Sequence, residues 1–347
     1  IRKDDRGLAE DLRRIGDLFD DVVSYSNLYR AYRKALLGAR RNEEQAHFYY
    51  NLENELVTLR RELVEETYNP GPYRYFMIFD PKEREIAIAP FRDRVVHHAI
   101  VNVLEPIYER RFIYDSYATR KGKGTLAAIK RAQSFLRESR YYIKLDISKY
   151  FASIDRNTLL EILQRKLKDA RLLKLITRIV WNPPDEDWGL PIGNMTSQFF
   201  ANVYMDPFDH FVKETLKQRH YIRYMDDFVV FTDDRSGIRG LLDRMRAYLN
   251  DELGLKVKEN GVVINTPMHG LGFLGVRIFP STVRLHRKNL TRCLRKIRLR
   301  EREYSRGQID EERLVLSVSS IVAHMAQFNT LTLRKRVMGS RPMVPTG

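Results

Sequence analysis

The chain runs through stretches of helical and strand-like hydrophobic spacing, punctuated by polar and Gly/Pro clusters. In NLENELVTLRRELVEETYNPGPY, Leu52, Leu56, Leu59 and Leu63 recur every three or four residues until Asn69-Pro70-Gly71 stops them. That spacing predicts a helix, and the first seventy residues read as helical throughout. YRYFMIF and EIAIA read as two strands about an Asp80-Pro81 turn. DRVVHHAIVNVLEPIYERRF is an apolar helix, and LAAIKRAQSFLRESR, after the loop RKGKGT, is another. YYIKLDIS reads as a buried strand ending at Asp146, NTLLEILQRKL as a helix, and WNPPDEDWGLPIG as a turn-rich loop. SQFFANVYMDPFDHFVKETL is a long helix, and YIRYMDDFVVF is a hairpin. IRGLLDRMRAYLNDELGL is helical, with its C-cap at Leu253-Gly254-Leu255. VKENGVVIN and LGFLGVRIF are short strands. RKNLTRCLRKIRLRERE carries an apolar stripe at Leu290, Cys293, Leu294 and Ile297 among arginines. Helices, a mixed centre and a basic helical tail, with no internal repeat, define an α+β class.

Composition narrows the function classes. The 347 residues are 43% hydrophobic and 31% charged, as in a soluble globular chain. No apolar run approaches the roughly 18 residues a membrane span needs, and the N-terminal stretch IRKDDRGLAEDLRR lacks the core of a secretion signal. Cys293 is the single cysteine, which excludes an intrachain disulfide and a cysteine-based zinc site. These features point to a cytoplasmic protein without membrane contact. The net charge of +16 is concentrated late, because the chain from Arg277 onward has a net charge of +11. Such asymmetry suits a polyanion such as nucleic acid, against the blander alternative of a solvated surface.

Against that basic background, Asp226 and Asp227 stand together between two apolar runs, and Asp146 ends an equally apolar strand. Paired aspartates often occupy exposed turns, and an Asp at a strand end often caps a helix. If strand and hairpin are neighbours, however, three carboxylates converge at one sheet edge, where repulsion is costly unless divalent cations sit among them. Two such ions about 4 Å apart activate an attacking hydroxyl and stabilise a leaving phosphate.

Several motifs in order carry a family resemblance. KLDISKYFASID, GLPIGNMTSQFFANVYMDPFD, RYMDDFVVF and LGFLGVRIF resemble the catalytic-aspartate, nucleotide-pocket, hairpin and primer-grip motifs of reverse transcriptases. PKEREIAIAPFRDRVVHHAIVNVLEPIYERRF and SYATRKGKGT resemble the fingers of the bacterial branch that includes group II introns and retrons. The resemblance covers residues 25–335. It implies a right-hand polymerase: residues 1–70 as a helical extension of the fingers, 71–280 as fingers and palm, and 281–347 as a basic helical thumb. It implies that Asp146, Asp226 and Asp227, with the carbonyl of Ile147, hold two Mg²⁺ ions, for which Mn²⁺ can substitute. Phe151 matches the steric gate that favours dNTPs, with core packing as its alternative. Lys82 and Arg84 match the cations that clamp the triphosphate, with a solvated turn as the alternative for Lys82.

Ile192, Gly193 and Gln198 fall in the nucleotide pocket, and Phe273, Leu274 and Gly275 in the primer grip. In the thumb, Arg284, Arg287, Lys288, Arg292, Arg295, Lys296 and Arg298 would follow the duplex phosphates. Most relatives carry Gln-Gly and Ser-Pro in the pocket motif, whereas this chain has Ile192-Gly193 and Ser197-Gln198. PIGNMTSQFFANVY resembles the variant of diversity-generating retroelements, which copy RNA with errors at adenines. Some antiviral-defence reverse transcriptases share these features, and an antiviral-defence or retron-like enzyme is the alternative.

The resemblance implies template RNA, an RNA/DNA hybrid and dNTPs as partners, together with an accessory protein and a structured non-coding RNA. RNA-directed RNA synthesis and an RNA-binding maturase without polymerisation are the rival functions. No RNase H or endonuclease domain is expected. GLGFLG, Gly270–Gly275, matches a dinucleotide-binding pattern only literally, since a strand rather than a helix follows it. His97 and His98 are adjacent on an apolar helix and so point apart.

Overall fold

In the computed structural model, residues 14–37, 43–79, 83–182 and 188–339 are described. Lys82 and the Asp80-Pro81 turn lie outside them. The N-terminal segment forms α1 (Phe19–Val23), α2 (Tyr25–Leu36), α3 (Glu43–Tyr50) and α4 (Leu52–Val64). The leucine spacing of α4 puts Leu56, Leu59 and Leu63 on its buried face. A two-stranded hairpin of β1 (Arg74–Ile78) and β2 (Arg84–Ile88) follows, and then α5 (Phe91–Glu109), whose apolar residues cover most of its circumference because helices surround it.

After α6 (Thr125–Glu138) the chain enters its central sheet with β3 (Tyr141–Asp146). Helices α7 (Arg156–Lys166), α8 (Ala170–Val180) and α9 (Met195–His210) lead to β4 (Tyr221–Tyr224) and β5 (Asp227–Thr232). The segment ARLLKLITRIV, left unassigned by periodicity, is α8, capped by the Asp169 carboxylate on the Leu172 N–H. α10 (Ile238–Asp251) ends with Gly254 at φ +62° and Leu255 N–H bonded back to Leu249 O, the cap read from Leu253-Gly254-Leu255. VKENGVVIN yields only the short edge strand β6 (Val263–Asn265). LGFLGVRIF is a hairpin rather than one strand, since Leu274 and Gly275 both adopt positive φ and reverse the chain between β7 (Leu271–Phe273) and β8 (Val276–Ile278). β9 (Val283–Leu285) completes that sheet, and α11 (Arg287–Ser305), α12 (Glu311–Ala326) and α13 (Leu331–Gly339) follow.

The central sheet is antiparallel in the order β4-β5-β3-β6 and separates two cores. Ile143, Leu145, Phe228 and Val230 join the larger core formed by α1–α5 and α7–α10. Tyr142, Ile222, Val229 and Phe231 face the smaller one, with α6, β7–β9 and Cys293, Met325 and Phe328 of the C-terminal helical segment. Burial on both faces makes these strands read as nearly unbroken apolar runs. The fold is thus α+β, with helices packed on antiparallel sheets. No helix among the described residues is long and apolar enough to cross a membrane.

Candidate active site

Strand alternation places the carboxylates. Tyr142, Lys144 and Asp146 share one face of β3, and Asp227, Val229 and Phe231 share the same face of β5. Antiparallel register sets Asp146 directly opposite Asp227. Asp226 occupies the two-residue turn between β4 and β5, beside Met225, whose φ is +58°. A side chain with a Cβ in that region signals a turn held by its surroundings. The strand and hairpin are therefore neighbours, as the sequence anticipates.

Two lysines face the acids. Lys144 Nζ lies 3.1 Å from Asp227 Oδ2, and Lys258 Nζ donates to Asp146 Oδ2 at 2.9 Å. The other Asp227 oxygen, Oδ1, is buried without a hydrogen-bond partner. Burial raises the Asp227 carboxyl to about 7 despite the opposing charge of Lys144. Burial also raises Asp226, and the Asp146 charge adds to that, against its own backbone N–H, Arg84 and Lys258. Among the described residues no three acids, imidazoles or thiols converge as a finished metal cage. What is present is hard oxygen donors at a desolvated edge, one with an unclaimed buried oxygen, and that donor set fits an oxygen-loving divalent cation.

The turn has a support that the sequence reading missed. Arg223, fully buried, makes a two-nitrogen contact with fully buried Asp209 of α9, with Nε 2.8 Å from Oδ1 and Nη2 2.7 Å from Oδ2. Tyr221 donates its hydroxyl to the same carboxylate at 2.7 Å. The remaining Arg223 donors reach Asn202 Oδ1 at 3.1 Å, Ser116 Oγ at 3.2 Å and the carbonyl of Met225 at 3.1 Å. The Met225-Asp226 turn is thus bonded through one guanidinium to α9. A single Arg inside an apolar strand, and an Asp inside an apolar helix, were the available signals, because neither is buried without a partner.

The nucleotide-pocket residues gather around the loop before α9. Phe151 sits half-buried in a short 3₁₀ turn, its carbonyl accepting the Leu190 N–H at 2.8 Å. Ile192 O accepts the Ala87 N–H of β2 at 2.8 Å, tying this loop to the fingertip hairpin. Gly193, at φ +122°, would place a Cβ 2.8 Å from Ala87 O, so a glycine is required there. Gln198 is half-buried with its Oε1 accepting from Thr119 Oγ1 at 3.3 Å. Arg84 is exposed at the start of β2, close enough for its charge to favour ionised Asp226. His97 is buried and held neutral, pushed down to about 3 by burial, while His98 is partly exposed, so the pair does point apart.

Phe273 is 1% exposed and packs in the smaller core, so its ring supports the grip turn from behind, and Leu274 and Gly275 form the turn itself. On β9 and α11, Arg284, Arg287, Lys288, Arg295, Lys296 and Arg298 are exposed, and Arg292 is half-buried. Arg284 additionally stacks its guanidinium over Phe279, 5.3 Å from the ring centroid.

The description "Reverse transcriptase (RNA-dependent DNA polymerase)" matches residues 79–278, more than half of the chain, including the three aspartates, the pocket residues and the β7–β8 turn but not the cations from Arg284 onward. The chain belongs to that family, whose members use divalent metal ions. Among curated relatives, Protein YkfC of Escherichia coli (strain K12) is 26% identical over 272 residues, covering 65% of this chain and 71% of its own length. The group II intron-encoded protein LtrA of Lactococcus lactis subsp. cremoris is 29% identical over 170 residues, 46% of this chain and 28% of its own. The putative COX1/OXI3 intron 2 protein of Saccharomyces cerevisiae is 20% identical over 269 residues, 59% of this chain and 32% of its own. The chain thus spans about a third of these intron-encoded relatives. The solved structure of apo telomerase from Candida tropicalis has a TM-score of 0.48 at 13% identity, over 62% of this chain and 49% of that one, which adds nothing to the family match.

Proposed function

We propose that this chain extends a primer 3′-hydroxyl with dNTPs on an RNA template, releasing pyrophosphate. The observation that carries the reading is the register that sets Asp146 opposite Asp227 with Asp226 in the adjoining turn. Asp146, Asp226, Asp227 and the carbonyl of Ile147 would hold two Mg²⁺ ions, or Mn²⁺ in their place. When bound, such ions lower the pKa of the attacking hydroxyl and neutralise charge on the leaving phosphate. The protein's own part is positional. Arg223 holds the turn through the Met225 carbonyl, and the β7–β8 turn holds the primer end. Arg84 and Lys82 neutralise triphosphate charge, and Phe151 closes the space a 2′-hydroxyl would need. Ile192, Gly193 and Gln198 border the base pair being formed, and the exposed α11 cations follow the backbone of an A-form-like hybrid, a grip that reads shape rather than sequence.

Within the family we assign the chain to the branch of diversity-generating retroelements, with an error-prone polymerase, a structured non-coding RNA and an accessory protein. Ile192 in place of a pocket glutamine and the run PIGNMTSQFFANVY support this over a retron-like enzyme, and an antiviral-defence enzyme, which can share those features, is the alternative. A maturase reading draws on relatives such as the Arabidopsis thaliana nuclear intron maturase 1, 33% identical over 86 residues, but does not account for an acidic cluster kept within a basic protein.

Primer extension with dNTPs and with NTPs tests the reading. The wild type is expected to prefer dNTPs, and Phe151→Ala to narrow that preference about tenfold or more. Equal use of both substrates by the wild type would make RNA synthesis the function.

A further inference from the structure

We infer that Lys144 is a positioning residue that couples the thumb's hold on the duplex to the catalytic carboxylates. The inference rests on the reading above of those carboxylates as the metal site. An ammonium has three donors and no acceptor. Lys144 directs one of them to Asp227 Oδ2, at 3.1 Å, and another to the carbonyl of Gly272 in β7, at 2.8 Å. Two residues earlier on the same face of β3, Tyr142 donates its hydroxyl to the Gly270 carbonyl at 2.9 Å. The strand that ends in Asp146 therefore grips β7 and the residue just before it from alternate positions, and one of the two grips is shared with an acid of the proposed metal site.

The other end of the β7–β8 hairpin is tied to the thumb. Asn289, in the first turn of α11, donates Nδ2 to the Gly275 carbonyl at 2.8 Å, and the His286 N–H reaches the same oxygen at 3.1 Å. A continuous path runs from α11 through the Leu274-Gly275 turn to the Gly272 carbonyl, Lys144 and Asp227. The Lys144 side chain is 20% exposed, so water screens its two bonds less than it would a surface pair. A cation that draws on Asp227 changes what Lys144 can give Gly272, and a duplex that draws on the hairpin changes what Lys144 can give Asp227. Such coupling is reciprocal by thermodynamic necessity.

The experiment measures affinity for an RNA-template/DNA-primer duplex by fluorescence anisotropy, in EDTA and in Mg²⁺ at constant ionic strength and without dNTP. Wild type is expected to bind the duplex about 5- to 100-fold more tightly with Mg²⁺. Lys144→Met should reduce that ratio to within about twofold while leaving the EDTA affinity nearly unchanged, and Lys144→Arg should retain most of it. Asn289→Ala, at the thumb end and remote from the acids, should also lower the ratio. A wild-type ratio near one, or full ratios in both Lys144→Met and Asn289→Ala, would overturn the coupling. Calorimetric titration of nucleic-acid-free wild type and Asp146→Asn with Mg²⁺ separates the two claims. Equal Mg²⁺ binding by both proteins would remove the metal-site reading itself. Carboxylate-dependent binding with an undiminished ratio in both variants would remove only the role of Lys144.

Discussion

Arg223 and the arginines of α11 carry the same guanidinium into opposite surroundings. Arg223 is wholly buried, with its donors spent on Asp209, Asn202, Ser116 and the catalytic turn. Arg287, Arg295 and Arg298 stand on the exposed side of a helix that buries only Cys293 and Ile297. Inside the protein, removing one partner strands a charge, so a buried guanidinium fixes one geometry at high stakes. On the surface each cation contributes little to folding, but together they create a field that salt can erase. The central sheet thus uses arginine to hold the Met225-Asp226 turn to α9, and in the proposed function α11 would use it to hold a mobile polyanion.

The largest effect should come from the acids proposed to hold metal. Asp146→Asn or Asp226→Asn should lower RNA-templated extension by about a thousandfold or more, as loss of two-metal chemistry would. Circular dichroism and duplex affinity in EDTA should remain close to wild type, and undiminished extension in Mg²⁺ would break the assignment. Arg223→Met comes next. It leaves Asp209 buried beside one hydroxyl, and should cost about 3–5 kcal/mol of stability in denaturant unfolding. An unchanged midpoint would mean that the pair is dispensable to the palm.

The thumb should respond differently. Neutralising Arg292, Arg295 and Arg298 together should leave the melting temperature within a few degrees, yet lower the slope of log affinity against log salt by about 2–3. An unchanged slope would place that face away from the duplex. The smallest effect concerns the pocket. Ile192→Gln restores a polar contact worth about 1 kcal/mol, so misincorporation should fall a few-fold, most strongly opposite template adenine. Deep sequencing of cDNA from both proteins measures this, and equal, low error at all four bases in the wild type would move the chain out of the diversity-generating branch.

Most elements were legible because their periodicity is strong. Leu56, Leu59 and Leu63 mark α4, and Leu290, Cys293 and Ile297 mark the inner face of α11. Other elements were harder to read. The helix α8 follows another helix after only Leu167, Lys168 and Asp169, too little punctuation to announce a new element. LGFLGVRIF looked like one strand because its turn carries Leu274, a residue that rarely marks a turn, at a positive φ, beside a Gly275 whose carbonyl accepts from the distant Asn289. Phe273 reads as a grip residue from its motif, yet strand parity turns it into the core.

The sequence by itself determined the reverse-transcriptase family and singled out the three aspartates and the basic C-terminal segment as candidates, since each is written in residue types within short segments. Only the tertiary structure decided which side chains attend them. Lys144 reads as an ordinary polar position in a strand until β7 is laid across it, and Arg223 as an anomaly until α9 brings Asp209 alongside. A local pattern records what a residue is and which face it occupies. The partner that completes a buried charge comes from another part of the chain, and it becomes visible only when burial forces the two to meet.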